Sequence, residues 1–183
     1  GNFHASEKIF KELISKSKYD YLTLHRLAGI SLRLGKETQY LYYLKETIKC
    51  KKDYGEAYAE LGNYFKKVGQ IKNALNYFHM AVNYSPDLYG VYINIGNIFS
   101  DLGRDEEALK NFEKALEIKF DHVPSLRSKV IVLKKINKPI DALKELDKIL
   151  LYDDDKVKAY MQRAAIYISL RNPLEAMRNF EKA

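Results

Sequence analysis

The chain repeats itself. Gly62 and Gly96 are 34 residues apart, and each sits in the same frame: Tyr58-x-x-Leu61-Gly62-x-x-Phe65 and Tyr92-x-x-Ile95-Gly96-x-x-Phe99. Downstream, Ala74, Phe78 and Ala81 return as Ala108, Phe112 and Ala115, so the self-similarity spans a whole unit. A period of this length means one supersecondary unit that cannot bury its apolar face alone and must stack on its neighbours. No single closed core is needed, and attention moves from enclosed pockets to the surface that stacking creates.

Carrying the period outward places Ala28, Val130 and Ala164 in the column of Gly62 and Gly96. Five units result, with first helices predicted over 20–34, 54–68, 88–102, 122–136 and 156–170. Second helices are predicted over 37–50, 71–84, 105–118, 139–151 and 173–183. Gly35-Lys36, Gly69-Gln70, Gly103-Arg104, Asn137-Lys138 and Arg171-Asn172 supply the turns, where Gly and Asn suit a left-handed helix end. Pro139 and Pro173 fit the first turn of a helix, and Pro86 separates two units. Residues 1–20 read as the second helix of a preceding, truncated repeat, with Phe10 one period before Leu44. The units that follow are 21–52 (divergent), 53–86, 87–120, 121–154 (divergent) and 155–183 (truncated in its second helix), together one repeat domain. Neither end has a polar cap, which predicts a fragment of a longer protein whose ends can self-associate.

Within a unit, Gly62 and Gly96 permit close helix approach, Ala74 and Ala108 face them with little bulk, and Tyr58, Leu61, Phe65 and Phe78 fill the surrounding space. The outer units depart. Tyr40 stands where Ala74 and Ala108 do, Ser31 replaces an aromatic residue, Lys129-Val130 replaces the Leu-Gly pair, and Arg163 stands where Leu61 does. Poorer packing is expected in the first and fourth units.

These residues resemble the tetratricopeptide repeat family over essentially the whole chain, best in the two central units. Pentatricopeptide and half-a-tetratricopeptide repeats, associated with RNA, fit less well because of the small-residue columns and the 34-residue spacing. The resemblance implies an all-α, right-handed superhelical solenoid of antiparallel helix pairs, whose first helices line a concave groove that holds a peptide. The groove candidates are His25, Arg26, Arg33, Glu60, Asn63, Lys66 and Lys67, then Asn94, Asn97, Arg127, Lys134, Lys158 and Gln162. Cations outnumber acids among them, so a protein or peptide ligand of acidic character is expected, gripped by charge-assisted hydrogen bonds. Some relatives clamp the acidic tail of heat-shock chaperones. Asn63 and Asn94 match that clamp's asparagines, but Ala59, Pro124 and Ser128 stand where its cations belong. Another subset feeds a glycosyltransferase through an asparagine ladder, of which only Asn94 is present. The implied function is a non-catalytic interaction scaffold or adaptor. Alternatives are an interaction module of a larger enzyme such as a glycosyltransferase, then a co-chaperone or an RNA-binding repeat.

Composition excludes more than it identifies. A formal net charge of +7 invites nucleic acid, yet Lys and Arg interleave with Asp and Glu along nearly every segment. No RNA-motif aromatics, zinc-finger spacing or basic arm is present, so nucleic acid is disfavoured. His4, His25, His79 and His122 are scattered, and no metalloprotease, nucleophile-elbow or phosphate-loop pattern occurs. No enzyme activity, cofactor or metal is therefore expected; Asp153-Asp154-Asp155 reads as a solvated turn. No apolar run is long enough to span a bilayer. The single Cys50 suits a reducing compartment, and the cytoplasm is the expected location, with the nucleus or a removed leader left open.

Overall fold

Five helix ends share one turn chemistry. Gly35, Gly69 and Gly103 have φ of 70°, 77° and 73°, and Asn137 and Arg171 hold the same left-handed conformation at φ 56°. In each case the next amide folds back to a carbonyl five residues earlier: Lys36 to Ser31 at 2.8 Å, Gln70 to Phe65 at 2.9 Å, Arg104 to Phe99 at 2.8 Å, Lys138 to Leu133 at 2.8 Å and Asn172 to Tyr167 at 2.9 Å. This closes orphan carbonyls and reverses the chain. A helix therefore ends and a new one starts within three or four residues.

The computed structural model describes residue 12 and residues 20–183, so the half-unit expected at 1–20 lies almost wholly outside the described residues. Ten α-helices and no strand occur among the described residues. They are α1 (Tyr21–Arg33), α2 (Glu37–Cys50), α3 (Gly55–Lys67), α4 (Ile71–Tyr84), α5 (Tyr89–Asp101), α6 (Asp105–Ile118), α7 (Val123–Lys135), α8 (Pro139–Tyr152), α9 (Val157–Ser169) and α10 (Pro173–Lys182). Each first helix is one residue shorter at both ends than the spacing predicts, and in α1, α3, α7 and α9 those end residues are caps. Asp20, for example, accepts from the amides of Leu22 and Thr23 ahead of α1. Pro139 and Pro173 open α8 and α10, and Asn172 caps α10 by accepting from the Glu175 amide. The fold is an all-α helical repeat of the solenoid class.

The chain divides into two compact parts, one ending at Leu88 and the other starting at Tyr89. In the N-terminal part, α1 pairs with α2 and α3 with α4, and α2 also packs on α3. Its core gathers Ala28, Tyr40, Leu44, Ala57 and Leu61, flanked by Tyr54, Tyr64 and Tyr77. Tyr40, expected to spoil the packing, is only 3% exposed and donates its hydroxyl to the Glu60 carbonyl at 3.2 Å. Burial, followed by the Glu60 charge, raises its pKa well above the ordinary tyrosine value. Ser31 is the less comfortable departure, since its hydroxyl is buried with no hydrogen-bond partner.

The C-terminal part contains the pairs α5–α6, α7–α8 and α9–α10, with α6 against α7 and α8 against α9. Its core includes Leu126, Val130, Leu133, Ala142, Leu146 and Ile149 with Ala159 and Ile166 of α9. Val130 is fully buried, so the fourth unit fills the space where Gly96 lies in the third. Lys129 and Arg163, in the column of Leu61 and Ile95, are accommodated as struts. Lys129 lies 3.3 Å from Glu113 of α6 and 3.0 Å from Glu145 of α8. Burial opposes the charge on Lys129, but the hydrogen bonds and charges of Glu145 and Glu113 outweigh it and raise its pKa. Arg163 repeats the arrangement one period later: it pairs with Asp147 of α8 and donates to Asn179 of α10 at 3.0 Å.

Candidate functional site

In the N-terminal part, α1 and α3 carry seven of the groove candidates, and two of them are engaged with each other. His25 Nε2 lies 2.9 Å from Glu60 Oε1, while its Nδ1 lies 3.1 Å from the Tyr54 hydroxyl. A neutral ring satisfies both contacts by donating from Nε2 and accepting at Nδ1. Tyr54 also meets His25 and Tyr21 edge-on at 5.1 Å. Burial, then the charge of Glu56, raises the pKa of Tyr54. This network cross-links α1 to α3 and leaves His25 and Glu60 half-buried, rather than open to a ligand as the spacing suggests. Arg26, Arg33, Asn63 and Lys67 are exposed, and Lys66 is half-buried.

Asn63 and Lys67 lead to a cavity that the sequence does not announce. A recess of about 220 Å³ opens between the α1–α2 turn and the end of α3, lined by Leu32, Gly35, Glu37, Tyr40, Asn63, Tyr64 and Lys67. Tyr40 and Tyr64 bring their rings to 6.4 Å of each other there. Burial, then the Glu37 charge and a hydrogen bond to Glu37, raises the Tyr64 pKa. The result is an aromatic and aliphatic wall with an ammonium, an amide and the Glu37 carboxylate beside it. Tyr40 was the available signal: a large side chain in a column held by Ala74, Ala108, Ala142 and Ala176 marks where the units stop being equivalent.

The remaining candidates lie in the C-terminal part and do not behave alike. Asn94 and Asn97 are half-buried on α5. Arg127 pairs with Asp153 in the turn after α8, and that partner's hydrogen bond holds the Asp153 carboxyl below its ordinary pKa. Arg127 is thus a brace between α7 and the following connection. The Asp155 amide donates to Asp153 at 3.1 Å, so the acidic triplet is organised as a turn. Lys135, beside Lys134, reaches Asp105 at 3.3 Å, whereas Lys134 and Lys158 are exposed. Gln162 is half-buried, with its side-chain oxygen lacking a hydrogen-bond partner. No helix among the described residues is long and apolar enough to cross a membrane.

Tetratricopeptide repeat models match residues 90–122 and 157–183. The chain carries tetratricopeptide repeats. Solved structures of such proteins share the fold. YrrB, a repeat protein with an unusual peptide-binding site, superposes with a TM-score of 0.77 at 17% identity, over 94% of this chain and 89% of that one. The C-terminal part of a repeat protein from Cytophaga hutchinsonii gives 0.80 at 18% identity, over 99% and 72%. MamA from Desulfovibrio magneticus RS-1 gives 0.72 at 17% identity, over 91% and 94%. No curated protein matches the sequence at a significant level. Tetratricopeptide repeats are protein-interaction modules, and an interaction scaffold is the class of function that the matches support.

Proposed function

We propose that this chain is a scaffold that binds a peptide segment of a partner protein along α1 and α3, anchored at the recess between Tyr40 and Tyr64. The observation that carries this reading is the recess itself: about 220 Å³ bounded by Leu32, Tyr40 and Tyr64, with Asn63 and Lys67 at its rim and the Glu37 carboxylate, also in the lining, hydrogen-bonded to Tyr64. An apolar side chain gains by leaving water against such a wall. Lys67 offers an adjacent carboxylate a charge-assisted hydrogen bond, and the Asn63 amide can serve a peptide backbone as donor and acceptor. The segment that fits is therefore apolar with an acidic neighbour. YrrB's peptide-binding site adds support for a peptide as the ligand class, through a shared fold.

Fluorescence anisotropy with a labelled peptide of one leucine flanked by glutamates tests the reading. Replacing that leucine by serine, or substituting Lys67→Glu in the protein, should each weaken binding about tenfold or more. Equal binding across wild type, Lys67→Glu and Tyr64→Ala would remove the recess as the anchor.

A further inference from the structure

The repeat provides its own control for which apolar residues are needed to stack it, and the two most exposed large apolar residues among those described fail that test. Leu151, at the end of α8, is 72% exposed, and Phe120, in the turn after α6, is 65% exposed. One period away, Phe120 aligns with Lys52, Pro86 and Asp154, and Leu151 with Lys49, Asn83 and Glu117. Stacking therefore asks for nothing large and apolar at either place. Phe120 meets Tyr152 edge-on at 5.8 Å, Leu151 directly precedes Tyr152 in the chain, and Ile118 and Tyr152 are themselves exposed. The two helix ends together present an apolar patch in water, which is costly to keep without a use.

Its surroundings indicate what would cover it. Residues 117–121 and 151–156 contain Glu117, Asp121, Asp153, Asp154 and Asp155 against Lys119 and Lys156, in a chain whose net charge is +7. Arg127 neutralises Asp153 alone among these acids, and Lys119 lies over the Tyr89 ring at 5.3 Å. Glu117, Asp121, Asp154 and Asp155 are all exposed. We infer that the ends of α6 and α8 form a second docking surface, for a basic partner segment that inserts an apolar side chain against Phe120, Leu151 and Tyr152. The acids draw such a segment in and set its orientation, while the aromatic pair supplies the buried contact. Anionic ligands suited to Lys67 would be repelled here, so the two surfaces select partners of opposite charge.

Calorimetry and anisotropy on the full chain test this with a synthetic amphipathic helix of lysine and leucine. The expected result is binding that weakens about tenfold or more in Phe120→Ser/Leu151→Ser and in Asp154→Lys/Asp155→Lys, and that falls as salt rises. Both pairs are exposed, so circular dichroism should show the fold retained. The glutamate-flanked leucine peptide should bind both double variants as it binds wild type, which separates this surface from the recess on α3. Undiminished binding in either double variant would overturn the inference. So would sedimentation showing a wild-type dimer that Phe120→Ser/Leu151→Ser dissolves, since a second copy would then be the occupant. Adsorption to phosphatidylserine vesicles that depends on Phe120 and Leu151 would assign the patch to membranes and overturn it equally.

Discussion

A Cβ placed on Gly62 would come within 2.5 Å of Phe78 Cδ1, so the ring of α4 lies directly on the backbone of α3. Gly96 repeats the relationship with Phe112, whose Cε1 would be 2.8 Å away. These are the approaches that fix the distance between paired helices. Gly62→Ala gains helix propensity but must displace a fully buried ring, and Gly62→Leu must displace more. Gly62→Leu should destabilise by about 1–3 kcal/mol in a denaturant titration. Phe78→Leu should recover part of the loss when combined with Gly62→Ala, because it removes the atoms that collide.

Arg171 occupies the position that Gly35, Gly69 and Gly103 hold elsewhere, at φ 56°. A side chain there meets its own backbone, which glycine avoids. Arg171→Gly should raise the melting temperature, by the equivalent of about 1 kcal/mol. The neighbouring Asn172→Ala should lower it by a similar amount, since it removes the acceptor for the Glu175 amide. A melt in which both substitutions act in the same direction would contradict the assignment of these two roles.

The sequence made the helices legible because the same turn chemistry recurs every 34 residues and the columns of Gly62, Ala74 and Phe78 dictate packing. It was less informative about the candidate site. Frame position assigns a residue to a first helix, yet it does not reveal that His25 and Glu60 pair with each other, nor that Arg127 pairs with Asp153. Those contacts join residues 35 and 26 positions apart across different elements, so they depend on side-chain reach rather than on period. The recess near Tyr40 escaped for a related reason: it exists where two units differ, and a repeat frame describes where they agree.

Lys129 and Glu145 show what such a departure costs. The Lys129 side chain is 13% exposed and that of Glu145 8%, and Glu145 also meets Lys148 at 3.1 Å. Lys129→Ala leaves the buried carboxylate with only that more exposed partner and should destabilise by about 3 kcal/mol. One period earlier the same two positions hold Ile95 and Asn111. The double substitution Lys129→Ile/Glu145→Asn should therefore be far less damaging than Lys129→Ala, since no buried charge is orphaned. Chemical denaturation of the three proteins separates a strut that stabilises from one that merely compensates for its own burial.

The Arg127–Asp153 pair should make stability depend on pH in a defined window. A hydrogen bond from Arg127 holds the folded Asp153 carboxyl below its ordinary pKa of 3.8, against the opposing effect of burial. With the folded pKa depressed, the folded state favours the ionised carboxylate more than the unfolded chain does. The stabilisation is complete above the ordinary value and is lost as pH falls through the folded pKa. Arg127→Met retains much of the stem while removing the charge. It should melt below wild type at neutral pH, and the gap should narrow steadily once the pH drops under about 4. Asp153→Asn, which cannot ionise, also loses the pair, so its deficit relative to wild type should narrow over the same range. A wild-type advantage over Arg127→Met that persists undiminished in acid would show that Arg127 acts by packing alone.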